Sequence, residues 1–383
     1  MRAPASDKME AREITSLPIM ALDTPLKPEH EQLGATFAEY FGCVLPRDYG
    51  DVACEYKFAR ESIGALDKNC RAVLSFTGED RRRYLNAMLT NNIRDLAPGH
   101  GNISLLLSPQ GRILAEVETL ALEDRLLVIS YAMIRERLVE AFDKFIIMDD
   151  VAMEDLTGKS GTLALEGPQT PAALRELCGL DFNSLPEFGH VEKSVAGISC
   201  RIIRNSPGKI HAAEFLTARE NLSALWNLLL EAARRHGGGP VGYAALNILR
   251  LEAGIPWFGV DFDDNQIPHQ AALEATHISY TKGCYTGQEI VERVRSRGHI
   301  QRRRVMLRFS GDAIPGRGEE LFADETEIGF VTRAAKSPAM NAVIGMGYVR
   351  REQTEPGSKV TWKSGHAEVI ESPAAEKKSD SCV

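Results

Sequence analysis

The spacing of apolar and polar residues predicts alternating strands and helices in the first part of the chain. Residues 72–78 have the alternation of a strand, and in residues 79–93 the apolar side chains recur at helical spacing. Residues 112–131 predict two strands joined by a tight turn at Glu123-Asp124. A second amphipathic helix follows them. Strand, helix, hairpin and helix together indicate an α+β fold.

The second part of the chain repeats this order. Residues 161–180 predict a strand, a Gly-Pro turn and a helix. Residues 217–239 give the clearest helical pattern, with Thr217 and Glu220 at the spacing of a capping box. From residue 301 onward the pattern changes to short β-type runs separated by glycine or proline, which is typical of a small antiparallel barrel.

These patterns divide the chain into three structured regions and two tails. The predicted regions are an N-terminal disordered tail (1–28), a first α+β domain (29–150), a second α+β domain (151–300) that ends in residues 282–289, a barrel (301–371) and a C-terminal disordered tail (372–383). Both tails are polar or proline-rich and lack a core-facing pattern.

Composition narrows the class of protein. The 383 residues are 44% hydrophobic and carry a net charge of −8, which favours a globular protein and argues against bulk nucleic-acid binding. No apolar run is long enough for a membrane span. The seven cysteines are scattered without a CxxC pair, so we expect a reducing, cytoplasmic location and neither a disulfide framework nor a zinc site.

One short motif carries the strongest chemical signal, "KGCYTGQE" at residues 282–289. Gly283 and Gly287 permit a shaped loop, and the next residues have a helical pattern, which places Cys284 just before a helix N-terminus. That terminus and Lys282 would both favour a thiolate. The alternative is a buried cysteine in a glycine-rich turn.

An arginine-rich segment follows the motif. It contains His299 and six arginines (Arg293, Arg295, Arg297, Arg302, Arg303 and Arg304). Such a segment could bind RNA phosphates or a small carboxylate ligand, or it could be a solvated surface paired with acidic neighbours. Asp263, Asp264 and His269 match no standard metal-loop spacing, so we predict no metal site.

The motif and several flanking segments resemble the YgfZ-type folate-binding proteins of the glycine-cleavage T-protein (aminomethyltransferase) superfamily. "FTGEDRRRYLNAMLTNNIRDL", "LLLSPQGRI", "LALEGPQTPAAL", "RLEAGIPWFGVD" and "IGMGYVRRE" are similar to successive segments of that superfamily over residues 35–362. The resemblance implies a three-domain cloverleaf of the T-protein type, with two mixed α/β domains, a small C-terminal β-barrel and a central channel for tetrahydrofolate.

The resemblance also implies site residues and partners. Arg250 matches an arginine that lies at the folate in the T-protein, and the signature loop is Lys282, Gly283, Cys284, Tyr285, Gly287, Gln288 and Glu289. The implied partners are folate and iron–sulphur client enzymes, including enzymes that modify tRNA. Any handling of iron–sulphur clusters would be indirect, and neither nucleic acid nor a membrane is an expected partner.

Three sites, with four residues in all, depart from the T-protein pattern. The paired aspartates, one of them catalytic, are replaced by Ala115-Glu116, an asparagine by Ser130, and the pterin-binding glutamate by Lys209. Because Ala115 cannot supply a carboxylate, the sequence favours a tetrahydrofolate-binding accessory protein for iron–sulphur cluster assembly or repair, with Cys284 as its functional thiol, over an enzyme. A folate-dependent aminomethyltransferase and an RNA-binding module are the alternatives.

Overall fold

The computed structural model describes residues 21–206, 210–298 and 300–373. Its strands are β1 (Leu22–Asp23), β2 (Thr36–Tyr40), β3 (Cys43–Asp48), β4 (Gly64–Asp67), β5 (Arg71–Thr77), β6 (Gly101–Leu107), β7 (Ile113–Ala121), β8 (Leu126–Tyr131), β9 (Ala152–Asp155), β10 (Ser160–Glu166), β11 (His190–Val195), β12 (Ile198–Arg204), β13 (Ala212–Ala218), β14 (Gly239–Pro240), β15 (Arg302–Phe309), β16 (Glu320–Ala323), β17 (Thr326–Ser337), β18 (Ala342–Arg350), β19 (Lys359–Trp362) and β20 (Gly365–Ile370).

The helices lie between these strands. They are α1 (Lys27–Gln32), α2 (Val52–Glu61), α3 (Arg81–Met88), α4 (Arg135–Asp143), α5 (Thr170–Cys178), α6 (Leu222–Arg235), α7 (Tyr243–Glu252), α8 (Glu274–His277) and α9 (Gln288–Arg297). Within the described ranges, none of them is long and apolar enough to cross a membrane.

Two open sheets and a closed barrel form the framework. One sheet has the strand order β6-β7-β8-β5-β9, and the other has the order β11-β12-β13-β10-β4-β14. The strands β15 to β20 close into a barrel in which every observed pairing is antiparallel. The predicted fold, two mixed α/β domains followed by a small antiparallel barrel, is confirmed.

The sheets do not follow the predicted division at residue 150. Strand β4 pairs with β10 in the second sheet, and β9 pairs with β5 in the first. Apolar side chains from residues 63–65 pack into the same core as Leu163, Leu165 and Trp226. The chain therefore crosses between the two sheets, since β4 pairs with β10 and β14 of the second sheet although it directly precedes β5 of the first.

The N-terminal boundary also differs from the predicted one. Residues 21–28, predicted to belong to a disordered tail, contain β1 and the start of α1. Strand β1 pairs in parallel with β3, and the buried Leu26 packs into the core of the second sheet. Residues 1–20 and 374–383 of the predicted tails lie outside the described ranges.

The capping box predicted at Thr217 is wrong. Thr217 lies in β13, where its hydroxyl donates to the carbonyl of Ser199, and α6 begins only at Leu222. Strand β13 pairs with β10 and β12 on its two sides, so Thr217 belongs to a central strand. Pairing within the sheet outweighs the local preference of Thr217 for a helix start.

Candidate functional site

The KGCYTGQE loop lies between α8 and α9 and packs against the first sheet. Gly287 immediately precedes α9 with a φ of +81°, and a Cβ atom there would lie 2.6 Å from the Ser108 carbonyl oxygen. At Gly111, in the same 108–111 turn, a Cβ atom would lie 2.9 Å from the Cβ of Ile290. Close contact between the loop and this turn therefore requires both glycines.

Lys282 points its charge into the first domain. Its Nζ donates to the carbonyl oxygens of Asn86, Leu89 and Asn91 at the C-terminal end of α3. Burial lowers the pKa of Lys282 to about 7. Because the ammonium satisfies helix-end carbonyls, its role in the structure is to hold the loop on α3.

The other loop residues divide between core and surface. Tyr285 is buried in the core of the first domain, and the Lys282 ammonium lies 5.1 Å from its ring centroid. Cys284 is exposed, and Glu289 forms an exposed ion pair with Arg293, one turn further along α9. Gln288 is the first residue of α9. The loop therefore presents its thiol to solvent and its tyrosine to the core.

Arg250 forms a buried ion pair on α7. Its Nη2 lies 2.7 Å from both carboxylate oxygens of Glu166, and the Nζ of Lys68 lies 3.1 Å from Oε1. Burial alone would raise the pKa of Glu166, but Arg250 and Lys68 outweigh it and bring the pKa to about 2. The Nη1 of Arg250 is buried and has no hydrogen-bond partner among the described residues.

Most of the arginine-rich segment is paired with acids. Arg293, Arg295, Arg302 and Arg303 each form an ion pair with a glutamate (Glu289, Glu292, Glu327 and Glu274). Arg304 is buried and donates to the carbonyl of Ala271. Arg295 and Arg303 also line a cavity of about 540 Å³ between α9 and the barrel. His299 lies outside the described residues. This pairing supports the solvated alternative over a continuous RNA-binding surface.

The side chains of β7 point alternately to its two faces, and this alternation decides which of the residues that depart from the T-protein pattern changes the candidate site. Ala115 points into the apolar core of the first domain. Glu116, Glu118 and Leu120 lie on the opposite face, which we call the junction face, and Leu120 there packs against Ile203 and Leu216 of the second sheet. The junction face therefore carries a carboxylate at position 116, even though position 115 is alanine.

Glu116 is paired with a histidine from a distant segment. The Nε2 of His277, at the end of α8, lies 3.0 Å from Oε1 of Glu116. The Ser130 hydroxyl, at the second predicted departure, donates to the backbone carbonyl of Glu116 in the neighbouring strand. A largely buried carboxylate and the imidazole in contact with it form a pair that can accept and hold a proton.

Glu118 takes part in a second charged cluster on the junction face. Arg71 Nη2 lies 2.7 Å from Oε1 of Glu118 and 3.1 Å from Oε1 of Glu214. Burial raises the pKa of Glu118 to about 7 against the opposing charge of Arg71. The Oε2 of Glu118 is buried without a hydrogen-bond partner in the part of the chain described. The cluster links the two sheets and contains an acceptor that remains available.

Aromatic residues border the junction face. Tyr131 stacks on Phe41 with 4.6 Å between ring centroids, and Arg71 lies 5.5 Å from the Tyr131 ring. Phe41 has a φ of +55°, which is unusual for a bulky residue. Met133 is 40% exposed beside these rings, and a Cβ added at Gly42 would lie 2.9 Å from its Cα. Strained backbone and an exposed apolar side chain often occur at binding sites.

The barrel contributes Arg333 to the same region. Its Nη2 lies 2.7 Å from the Oδ2 of Asp261, and its guanidinium lies 4.3 Å from the Trp257 ring centroid. Burial lowers the pKa of Arg333, Asp261 raises it, and the charge of Arg250 lowers it further. The positive charges of Arg250 on α7 and Arg333 in the barrel therefore lie close enough to repel each other.

The structure thus adds charged residues to those that the sequence had indicated. Arg250 was predicted, whereas Glu118, His277 and Arg333 were not, and Glu116 had been dismissed with Ala115. One signal was available, since two glutamates with period-2 spacing in the apolar strand "ILAEVETLA" indicate carboxylates on one face. Lys209, the third predicted departure, lies outside the described residues.

Comparison with known proteins gives a consistent result over nearly the whole chain. Residues 26–280 match the family described as the GCVT N-terminal domain, and residues 302–374 match the glycine cleavage T-protein C-terminal barrel domain. An aminomethyltransferase from Chloroherpeton thalassium is 28% identical over 88% of this chain and 93% of its own length. The corresponding protein from Rubrobacter xylanophilus is 28% identical over 88% and 89%.

A solved structure shows the same architecture. The glycine cleavage system aminomethyltransferase T from Bartonella henselae superimposes with a TM-score of 0.85 at 25% identity, covering 93% of this chain and 98% of the other. The superfamily resemblance is therefore confirmed, but its narrower YgfZ-type form is not supported. The expectation of a non-enzymatic accessory protein for iron–sulphur clusters is wrong, because these relatives are named as enzymes.

Proposed function

The chain belongs to the glycine cleavage T-protein family, and we propose that it is a folate-dependent aminomethyltransferase. In this reaction the carbon–sulphur bond of an aminomethylated thiol breaks, and its carbon becomes a methylene bridge between two nitrogens of tetrahydrofolate, with release of the free thiol and of the amino group as ammonia. Each folate nitrogen that bonds to this carbon loses a proton, one of which ends on the thiol and the other on the ammonia, so a carboxylate beside a folate nitrogen assists the transfer. Two features of the chain bear on this proposal: the carboxylate and the groups that could hold the folate.

The placement of Glu116 carries the proposal. Loss of the aspartate at position 115 argued against transfer, but Ala115 lies in the apolar core and is not on the junction face. Glu116 occupies that face with one oxygen bound to His277. Its second oxygen has no hydrogen bond within the described residues, so this oxygen is the one that would receive the proton from the folate nitrogen.

Three side chains of the described residues offer groups that fit parts of a folate. A pteridine ring carries several N–H donors, and the buried Oε2 of Glu118 is an acceptor without a partner in the described part of the chain. The exposed Met133 offers an apolar contact for the ring. The Nη1 of Arg250 is a charged donor without a partner there and would bind an oxygen of the ligand. We propose that these three residues hold tetrahydrofolate.

Turnover by purified protein tests the proposal. With tetrahydrofolate and an aminomethylated thiol as donor, we expect ammonia and methylenetetrahydrofolate to form in equal amounts. Glu116→Gln should lower kcat by about 10² to 10⁴, the usual contribution of a general base, while the Kd for tetrahydrofolate stays within about threefold. Glu154→Gln, on the exposed edge strand β9 of the same sheet, is the matched control and should retain full activity.

The possible results test the proposed activity and the proposed role of Glu116 separately. Absence of ammonia release under conditions in which an aminomethyltransferase relative turns over would overturn the proposed function. Full activity in Glu116→Gln would leave the function standing and remove Glu116 from it.

A further inference from the structure

We propose that His277 is a positioning residue, which holds the Glu116 carboxylate in the orientation needed for transfer. This inference rests on the proposed aminomethyl transfer and adds a residue that the T-protein pattern of paired aspartates does not contain. It derives from three features: the contacts of the imidazole, the anchoring of its backbone, and the charges around Glu116.

Both ring nitrogens of His277 are engaged. Nε2 lies 3.0 Å from Oε1 of Glu116, and Nδ1 lies 2.7 Å from the hydroxyl of Thr276. The two side chains of the pair are 8% and 12% exposed, so neither can turn freely into solvent. An imidazole fixed at both nitrogens has one orientation, and the carboxylate oxygen that binds it is fixed with it.

The backbone of His277 is anchored to the first domain. The Thr90 hydroxyl donates to the His277 carbonyl at 2.7 Å, and the Ser279 N–H donates to the Thr90 carbonyl at 3.0 Å. The Lys282 ammonium binds the carbonyls of Leu89 and Asn91, the residues on either side of Thr90. Hydrogen bonds therefore hold the segment that carries His277 to the segment that carries Thr90, and Lys282 of the signature loop adds two more on either side of Thr90.

The surroundings of Glu116 explain why a positioning group is needed. Glu118 is the next residue on the same face of β7, and the two carboxylates repel each other. Arg71 lies between Glu118 and Glu214 and is used by both of them. Tyr131 is the other titratable group that faces Glu116 from the sheet. His277 is thus the only hydrogen-bond donor to the Glu116 carboxylate among the described residues, and it leaves Oε2 free.

Two amide variants of His277 test the inference. In His277→Gln the amide nitrogen can occupy the place of Nε2 and still donate to Glu116. In His277→Asn the shorter amide can reach Thr276 only. We expect kcat to stay within about threefold for the glutamine variant and to fall by about 10 to 100-fold for the asparagine variant, with the KM for tetrahydrofolate nearly unchanged in both. A residue with a purely structural role would give similar losses in both variants.

Two further variants complete the design. Combined with Glu116→Gln, His277→Asn should cause no additional loss of kcat, because the group that it positions is already gone. His269→Gln is the matched control, since His269 is equally buried but does not contact Glu116. It should keep the kcat of the unmodified protein. Thermal unfolding of every variant confirms that differences in kcat are not losses of fold.

Equal kcat values for the unmodified protein and His277→Asn would overturn the inference while leaving the proposed function intact. Equal losses in the glutamine and asparagine variants would overturn it as well, as would additive losses in the double variant. An inactive unmodified protein would instead overturn the proposed function and the inference together, so the two failures are distinguishable.

Discussion

Replacing Glu166 by glutamine removes the negative charge from a buried cluster that also contains Arg250 and Lys68. The Glu166 side chain is 2% exposed, with Arg250 Nη2 at 2.7 Å from both of its oxygens and Lys68 Nζ at 3.1 Å from one. In Glu166→Gln the two cations remain buried beside a neutral amide. We therefore expect the variant to be less stable at pH 7, by about 3 to 5 kcal/mol, the usual cost of breaking a buried ion pair.

The same cluster predicts how this loss changes with pH. The pKa of Glu166 falls from the ordinary 4.5 to about 2 because Arg250 and Lys68 outweigh the effect of burial. At about 1.36 kcal/mol per pH unit, this lowered pKa corresponds to a contribution of about 3 kcal/mol to the unfolding free energy. A carboxylate with a lowered pKa makes this contribution in full above pH 4.5 and loses it as the pH falls toward 2.

Denaturant unfolding followed by circular dichroism measures this contribution. The quantity to compare is the difference in unfolding free energy between the unmodified protein and Glu166→Gln at pH 7, 5, 4 and 3. We expect the difference to shrink steadily below pH 4.5. Glu154→Gln, an exposed glutamate paired with Lys159, should differ from the unmodified protein by less than about 0.5 kcal/mol throughout.

Two results would refute this reasoning about Glu166. One is a difference between the two proteins that stays constant from pH 7 to pH 3, which would mean that the carboxylate titrates alike in the folded and unfolded states. The other is a difference below about 1 kcal/mol at pH 7, which would mean that the cluster is open to water.

The remaining predictions concern the signature loop. Burial lowers the pKa of Lys282 to about 7, so between pH 7 and 9 the unfolded chain binds more protons. Between pH 7 and 9 the unfolding free energy of the unmodified protein, measured with denaturant, should therefore rise by about 2 kcal/mol relative to that of Lys282→Met. A difference between the two proteins that does not change with pH would contradict this prediction. Cys284 is exposed, so Cys284→Ala should alter the unfolding free energy by less than about 0.5 kcal/mol. If the predicted functional role is correct, aminomethyl transfer by Cys284→Ala falls at least tenfold, and wild-type activity would remove Cys284 from the site.

Local patterns were sufficient for most individual elements. The two strands around Glu123-Asp124, the barrel strands and the helix after the signature loop all lie where the spacing of apolar residues placed them. These elements could be predicted because side-chain periodicity is a property of neighbouring residues. Thr217 was misread because a capping motif and a central strand can contain the same residues, and only the pairing with β10 and β12 decides between them.

The candidate site was predictable only in part. Arg250 was identified by its resemblance to a family residue, and the structure places it in a buried ion pair with Glu166. The exposed position of Cys284 and the inward position of Lys282 were not predictable, because the direction of each side chain depends on α3, which lies almost two hundred residues earlier. The spacing of residues within the loop does not predict its contact with α3.

The sequence by itself determined the type of most elements, the fold class and the T-protein superfamily. It also contained the period-2 glutamates of β7, whose spacing alone puts both carboxylates on one face of a strand. Tertiary structure alone decided that Ala115 faces the core and that Glu116 meets His277, 161 positions away. Likewise, Arg250 meets Glu166 across 84 positions. The physical reason is that periodicity is set by adjacent residues, whereas the partner of a buried charge is set by how whole sheets and helices pack.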